Sequence, residues 1–563
     1  MRLVTSRDGV ASILAGRAMI VSILAALTLA VMGARLLSPH FGLLDDGVTM
    51  YVSRALGHAL GAGDPGLILR LELERGRFRP LYWLFEAVQY AIWGPSALGF
   101  FIGNGLALLL TALGVAGTVA VVTRDRLASL LAGVAYVLSP PVSEGYYTLS
   151  KPEVPLALWL AVSLWGWAGA RVESERSPTR SRWLFAVSAS SLFMAYFTKE
   201  TAQAMVLVSA LWLVASWATA RIAQSSAAAR VDRRYFGVNV AWAALFWIAR
   251  VISGTVAVAA GGDSQRYAVT GLSIVSSGLG HLVWYARDFP LVLPLLAFLA
   301  WPRARRTRCD PWLTFVPVLW ILSWTLIMLP WPTIFEYYLL PASVAVAVIT
   351  GMGVASVLRA LRAPQTSVRV VAGVLLAFML LGLTVTLANA VTSARIQLAA
   401  DGANAKLVDY LAAQSPPGAT VLVDLPAPNE YVDELALQLA RLRGREDLDV
   451  QYRDRRVSSR EGPVLVATPH MLNRPLPGVR LAVPEASPTH GSDEAQRRFG
   501  PGAVLVYRVT RTVRLLVTPV PAGICAMLEH VQAHADLFCA SGGRFFDRRT
   551  FRYGWEIYQT HGR

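Results

Sequence analysis

The sequence predicts an α-helical polytopic membrane protein of about 11 transmembrane helices, followed by a C-terminal extracytoplasmic α/β domain. Three observations lead there. Hydrophobic residues make up 55% of the 563, and they gather in runs long enough to cross a bilayer. The formal charge of +16 is almost all arginine, and the arginines recur in alternate loops. After Arg395 the hydropathy falls, and roughly 170 residues of soluble composition close the chain, enough for one domain.

Apolar stretches occur near 11–37, 97–122, 127–142, 154–170, 183–198, 202–219, 236–258, 288–301, 311–330, 337–358 and 370–391. The first contains Arg17 and runs past the length of a signal-peptide core without a cleavage site, so it is expected to stay as an anchor. Loops 1–10, 123–126, 171–182, 220–235, 302–310 and 359–369 together hold 19 Arg against 6 Asp or Glu. Positive charge gathers on the cytoplasmic side, so the N-terminus is predicted inside and residues 392–563 outside. The expected division is a transmembrane domain over 1–391 and a soluble α/β domain over 392–563. The location this implies is a cell (inner) membrane crossed many times. Placed as it is, the basic charge is a topology signal and excludes nucleic acid as a partner.

The stretch Pro39-His40-Phe41-Gly42-Leu43-Leu44-Asp45-Asp46 puts two adjacent carboxylates just beyond the first span. Behind them Val48, Val52, Ala55, Leu56, Ala59 and Leu60 recur at helical spacing, which predicts an amphipathic helix along the membrane surface. Two carboxylates this close cannot both ionise freely, and the one with the raised pKa suits general-base work. The plainer alternative is that Asp46 caps the helix and Asp45 favours its positive end.

The loop from Gly63 to Pro95 carries Arg70, Arg75, Arg77 and Arg79, against the outside scarcity of positive charge. These contact either lipid headgroups or a phosphate. A second surface helix follows, with Trp83, Tyr90 and Trp93 at interface depth. In the loop 139–153, Pro140-Pro141 stops one helix and Pro152 suits the start of the next. Only three of the 52 basic residues are lysine, and two of them, Lys151 and Lys199, sit at outer span ends with Glu153 and Glu200 close behind. Such a strong arginine bias elsewhere suggests a reason for retaining a compact, mobile ammonium here; the alternative is a pair of snorkelling lysines. Residues 259–287, with Asp263, Arg266, His281, Tyr285 and Arg287, suggest a loop with a short lid helix. Glu336, Tyr337 and Tyr338 stand at the last outer turn and either bind a polar ligand or form an aromatic belt.

In the soluble part, Thr420–Asp424, Val464–Ala467, Val504–Val509 and Val513–Thr518 are expected strands, 430–443 a helix and 485–500 a surface loop. It contains no glycine fingerprint or nucleophile elbow, so it is expected to position an acceptor or to act as a structural cap. Cys525 and Cys539 lie there, where a disulfide could form; neither C-x-x-C nor H-E-x-x-H occurs anywhere in the chain.

The order of these motifs resembles the GT-C superfamily of multi-span glycosyltransferases, especially the TMTC-type O-mannosyltransferases and their prokaryotic relatives. The resemblance is carried by Asp45-Asp46, Phe78-Arg79-Pro80-Leu81 continuing to Asn104, the loop 139–153, Thr198-Lys199-Glu200-Thr201, and Glu336-Tyr337-Tyr338-Leu339-Leu340-Pro341, over residues 1 to about 390. It implies a GT-C-like enzyme that moves a mannose-like hexose or a pentose, with inversion, from a polyprenyl-phosphate carrier. The acceptor would be a hydroxyl of a glycan, glycolipid or protein. Asp45 or Asp46 would be the base, and Arg79, Lys151 and Lys199 the donor-phosphate ligands. Glu153, Glu200, Glu336 and Tyr338 would bind sugar or acceptor, and a divalent metal is possible without any metal ligand set being identified. The chain departs from the pattern where relatives carry His-Pro in the second loop (Pro140-Pro141 here) and Arg after the last Glu (Tyr337 here), and their C-terminal repeats are replaced. A lipid transporter or flippase, or a non-catalytic carrier-binding protein, are the competing functions. Against transport, the notable polar residues gather at one membrane face.

Overall fold

The structure is a computed structural model and describes residues 7–43, 46–61, 77–218, 226–254, 271–301, 311–330, 336–425, 430–452, 463–472, 503–517 and 547–560. Each of the eleven expected apolar stretches contains a helix. In chain order the helices are α1 (Arg7–Leu37), α2 (Asp46–Gly61), α3 (Pro80–Trp93), α4 (Ala97–Thr123), α5 (Arg126–Val137), α6 (Pro140–Tyr146), α7 (Glu153–Glu173) and α8 (Pro178–Thr198). There follow α9 (Ala204–Ala218), α10 (Ser226–Ile252), α11 (Gly271–Asp288), α12 (Val292–Ala300), α13 (Pro311–Met328), α14 (Leu340–Ala360), α15 (Thr366–Gln414) and α16 (Glu430–Leu437).

Among the described residues seven helices are long and apolar enough to cross a bilayer, and up to nine if each of two bent pairs is one span. The chain is thus a multi-pass membrane protein. The bent pairs are α5 with α6, turned by 53° where Pro140-Pro141 interrupts the helix, and the end of α11 with α12, turned by 81°. The count falls short of about 11 because α7 and α8 fail on apolarity. Each has 21 residues, or about 31 Å at ~1.5 Å per residue, which matches a hydrocarbon core. α7 is buried on most sides, so its neighbours are protein, and protein-facing positions need not be apolar. The expected lid region is taken up from Gly271 onward by α11, an 18-residue helix rather than a short one; 255–270 lie outside the described residues.

Close backbone approach holds this bundle together. A Cβ on Gly166 of α7 would fall 2.8 Å from the Leu184 carbonyl oxygen and 2.9 Å from the Ser188 nitrogen of α8. Only glycine allows that spacing. The Ser188 hydroxyl completes the contact by donating to the Ser163 carbonyl at 2.7 Å. At the far end of α7, Asp232 of α10 pairs with Arg171 and accepts the indole N–H groups of Trp167 at 2.9 Å and Trp212 at 2.8 Å. That satisfied cluster ties α7, α9 and α10 together.

The last span does not stop at the expected boundary near 391. α15 runs 49 residues, about 74 Å at ~1.5 Å per residue, and carries its helix through to Gln414. Its second half packs Ala400, Ala403, Leu407 and Leu411 against Val421, Val423, Ala467, Trp555 and Ile557 of a five-stranded sheet. The strands are β1 (Thr420–Val423), β2 (Asp449–Tyr452), β3 (Val464–Leu472), β4 (Val504–Val517) and β5 (Asp547–Thr560), in the order β2-β1-β3-β5-β4. β1 is parallel to β2 and β3, and β5 is antiparallel to β3 and β4. The two strands expected at 504–509 and 513–518 are one. The polar Thr510-Arg511-Thr512 suggests a break, but pairing with β5 carries the ladder through it. The expected helix over 430–443 is α16 followed by a π-helical turn, Gln438–Leu442. Residues 485–500, Cys525 and Cys539 lie outside the described residues.

Candidate functional site

The polar residues converge where α1 and α8 end and α2, α7 and α14 begin. Asp46 opens α2 and is fully buried. Its Oδ2 accepts the Gly42 N–H at 2.7 Å, so the carboxylate grips the preceding turn. Its Oδ1 has no hydrogen-bond partner among the described residues. Burial pushes the Asp46 pKa up to about 7. The charge of Asp401 adds to the rise, while the Gly42 N–H, Arg35 and Lys151 oppose it. Asp45 lies outside the described residues.

Asp401 is a site residue that sequence spacing does not disclose. It stands on α15, in the part of that helix packed on the sheet, and pairs with the buried Arg35 at 2.5 Å. The Gln397 amide donates to it at 3.2 Å, and the Arg35 guanidinium lies 4.2 Å from the centre of the Phe101 ring. A third buried carboxylate, Glu86 on α3, is held well above the usual range by burial and then by the charge of Asp46. No motif marks Glu86 or Arg35.

The two lysines come together on consecutive tyrosines. The Lys151 ammonium lies 4.6 Å from the centre of the Tyr337 ring and the Lys199 ammonium 4.8 Å from that of Tyr338. The two rings meet edge to face at 4.6 Å. Lys199 forms an ion pair with Glu153 rather than with its sequence neighbour Glu200. Glu153 Oε2 has no hydrogen-bond partner among the described residues. Arg79 ends the loop before α3, with its guanidinium over Tyr82 at 5.3 Å and Trp83 at 5.8 Å. Glu200 feels the charges of Lys199, Arg79 and Arg77 together; Arg70 and Arg75 lie outside the described residues.

Behind the tyrosines is a second group of acids. Glu336 Oε2 accepts the Ser393 hydroxyl at 2.7 Å and stands 4.0 Å from Arg287. Glu144 Oε2 accepts the Tyr337 N–H at 2.9 Å. Asn104 supports the wall, its amide donating to the Tyr146 and Thr148 carbonyls at 3.2 and 3.1 Å. Among the described residues no group of three or more His, Cys, Asp or Glu could hold a metal ion. The structure thus gathers Asp46, Lys151, Lys199, Glu153, Glu200, Arg79, Glu336 and Tyr338 at one end of the helix bundle, and adds Asp401, Arg35, Glu86, Glu144 and Tyr337.

Fold and site define a multi-pass helical protein with a fully buried carboxylate, Asp46, near a lysine–tyrosine–arginine cluster. No family model and no curated protein matches the chain. Among solved structures it is similar to ArnT from Cupriavidus metallidurans bound to undecaprenyl phosphate, at 13% identity and TM-score 0.45, covering 80% of this chain and 92% of that one. The apo state of the same protein gives 13% and 0.44 over the same shares. An Archaeoglobus fulgidus oligosaccharyltransferase tethered to an acceptor peptide gives 11% and 0.47, covering 74% of this chain and 63% of that one. At these scores the likenesses carry no functional weight.

Proposed function

We propose that the chain transfers a sugar from a polyprenyl-phosphate carrier to an acceptor hydroxyl at the outer face of a cell membrane, inverting the anomeric centre. The observation that carries this is Asp46: a fully buried carboxylate whose Oδ1 has no hydrogen-bond partner among the described residues, whose pKa burial pushes up to about 7, and which lies within electrostatic reach of Lys151. A group that titrates near neutrality both takes and holds a proton effectively. The acceptor oxygen attacks the anomeric carbon and its proton passes to Asp46. The bond from that carbon to the phosphate oxygen breaks, and its electron pair stays on the phosphate. Lys151, Lys199 and Arg79 meet the charge arriving there. Glu153, Glu200, Glu336 and Tyr338 line the path of the sugar and the acceptor. The outer-face reading is supported by the arginine count, since the α7 and α8 ends bearing Lys151 and Lys199 lie opposite the arginine-rich loops. Sugar, carrier length and acceptor stay at the level of class.

The test is a transfer assay with the purified protein, a panel of polyprenyl-phosphate hexoses and pentoses, and total envelope glycans, glycolipids and proteins as acceptors. Transfer that vanishes in Asp46→Asn supports the reading. Carrier movement between leaflets without transfer would establish a flippase, and carrier binding without either a non-catalytic protein.

A further inference from the structure

The turn that bears Asp46 is held from three sides by the C-terminal part of the chain. Gln438, at the start of the π-helical turn after α16, donates its side-chain amide to the Gly42 carbonyl at 2.6 Å. π-helical turns are frequent at functional sites. Leu43 is buried in the apolar core of the sheet domain, with Leu407, Val421 and Leu435. Asp401 comes so close to Gly42 that a Cβ there would lie 2.9 Å from its Oδ1, and it also pairs with Arg35 at the end of α1. Gly42 is the hinge of the arrangement: its N–H goes to Asp46 and its carbonyl to Gln438.

We infer that the sheet domain is the scaffold of the Asp46 turn, with Gln438 and Asp401 acting as positioning residues that fix Gly42 and, through it, the Asp46 carboxylate. The inference deepens the transferase reading and rests on it for the role of Asp46, but its geometry does not. The C-terminal part of the chain then has a duty that its missing enzymatic motifs leave open. It fixes Gly42 and Leu43, between the membrane helix α1 and the surface helix α2, and so sets where the Asp46 carboxylate is held.

Hydrogen–deuterium exchange on the full-length protein, with kinetics on the same samples, tests this. Gln438→Leu removes one neutral hydrogen bond and leaves every charge in place. It is expected to raise exchange in peptides covering 38–46 severalfold while those covering β1 and β3 stay unchanged. With a donor identified in the transfer assay, kcat should fall on the order of tenfold to a hundredfold with the donor KM unaltered, the signature of a displaced reacting group. Asp401→Asn should loosen the same peptides. Because it strands the buried Arg35 it also threatens folding, and Gln438→Leu then decides alone. Unchanged exchange at 38–46 in Gln438→Leu, or raised exchange with unaltered kcat, overturns the inference. Raised exchange in a protein that shows no transfer even as wild type leaves the scaffold standing and removes the transferase reading.

Discussion

Replacing Asp46 by Asn should abolish transfer and, above neutral pH, make the protein more stable. A buried carboxyl whose folded pKa is about 7 against an ordinary 3.8 favours folding fully only below pH ~4, where it is protonated in both states. That contribution is lost as pH rises towards 7, because the unfolded chain ionises freely and the folded one resists. A shift of about 3 units corresponds to about 4 kcal/mol in total. About 2–3 kcal/mol of this falls between pH 5 and pH 8, a difference of a few degrees in Tm. Asn keeps an oxygen for the Gly42 N–H and has no charge to bury, so it escapes the loss. Asp401, Arg35, Lys151 and Glu86 act on Asp46 through their charges, so the measure is the difference between wild type and Asp46→Asn. Thermal unfolding in detergent at pH 5 and pH 8 supplies it, with transfer rates on the same samples. Wild-type transfer should rise through pH ~7 and level off above it, since the base must be deprotonated. A variant equally destabilised at both pH values would refute the argument, as would wild-type transfer that falls through pH 7.

Lys151→Ala and Lys199→Ala should each weaken donor binding or slow phosphate departure by about 1.5–3 kcal/mol, tenfold to a hundredfold, with Lys→Arg restoring only part, as separate kcat and KM values would show. Gly42→Ala places a Cβ 2.9 Å from Asp401 Oδ1 and 3.3 Å from Asp46 Oδ2; it should cost about 1–3 kcal/mol of stability and lower turnover, while Gly57→Ala, whose Cβ meets nothing, serves as the control. With the native cysteines replaced by serine, Thr512→Cys should react with an impermeant thiol reagent on intact cells and Thr179→Cys only after permeabilisation; the reverse pattern would move the whole site to the cytoplasmic face.

The membrane half of the fold was legible because hydrophobic runs are local signals, and the helices follow them. Legibility failed where partners decide the outcome. α7 is too polar to pass as a lipid-facing span, and only its burial against α4 and α8 explains that. β4 appears as two strands until β5 is paired with it. β5, missing from the expected strands, does show a strand's period-two alternation, with Tyr553, Trp555 and Ile557 buried and Gly554 and Glu556 between them. At the site, the scarcity of lysine singled out Lys151 and Lys199, and their ammonium groups lie over the adjoining rings of Tyr337 and Tyr338. It could not show that Glu153 rather than Glu200 pairs with Lys199, because that pairing crosses from α8 to α7. Asp401 was hidden for the same reason: it reaches Asp46 only because a 49-residue helix folds the C-terminal domain back onto the first loop.

The placement of charge around the site gives the proposed reaction a direction. Before transfer one negative charge resides on Asp46, in a buried position beside Asp401 where ionisation is disfavoured. When the acceptor proton arrives that charge vanishes, and a new one appears on the departing phosphate, whose monoester carries one more charge than the diester it came from. The lysines are held where that charge would arrive, over the faces of Tyr337 and Tyr338, and Lys199 already has the carboxylate of Glu153 for company. An ammonium on a flexible stem can turn from one anion to another within the same contact, which a guanidinium locked in a planar fork does less readily. Charge thus moves from a site that resists it to one prepared for it. Because Asp46 is held by the fold in advance and the lysines need only turn within contacts they already make, little reorganisation remains for the transition state.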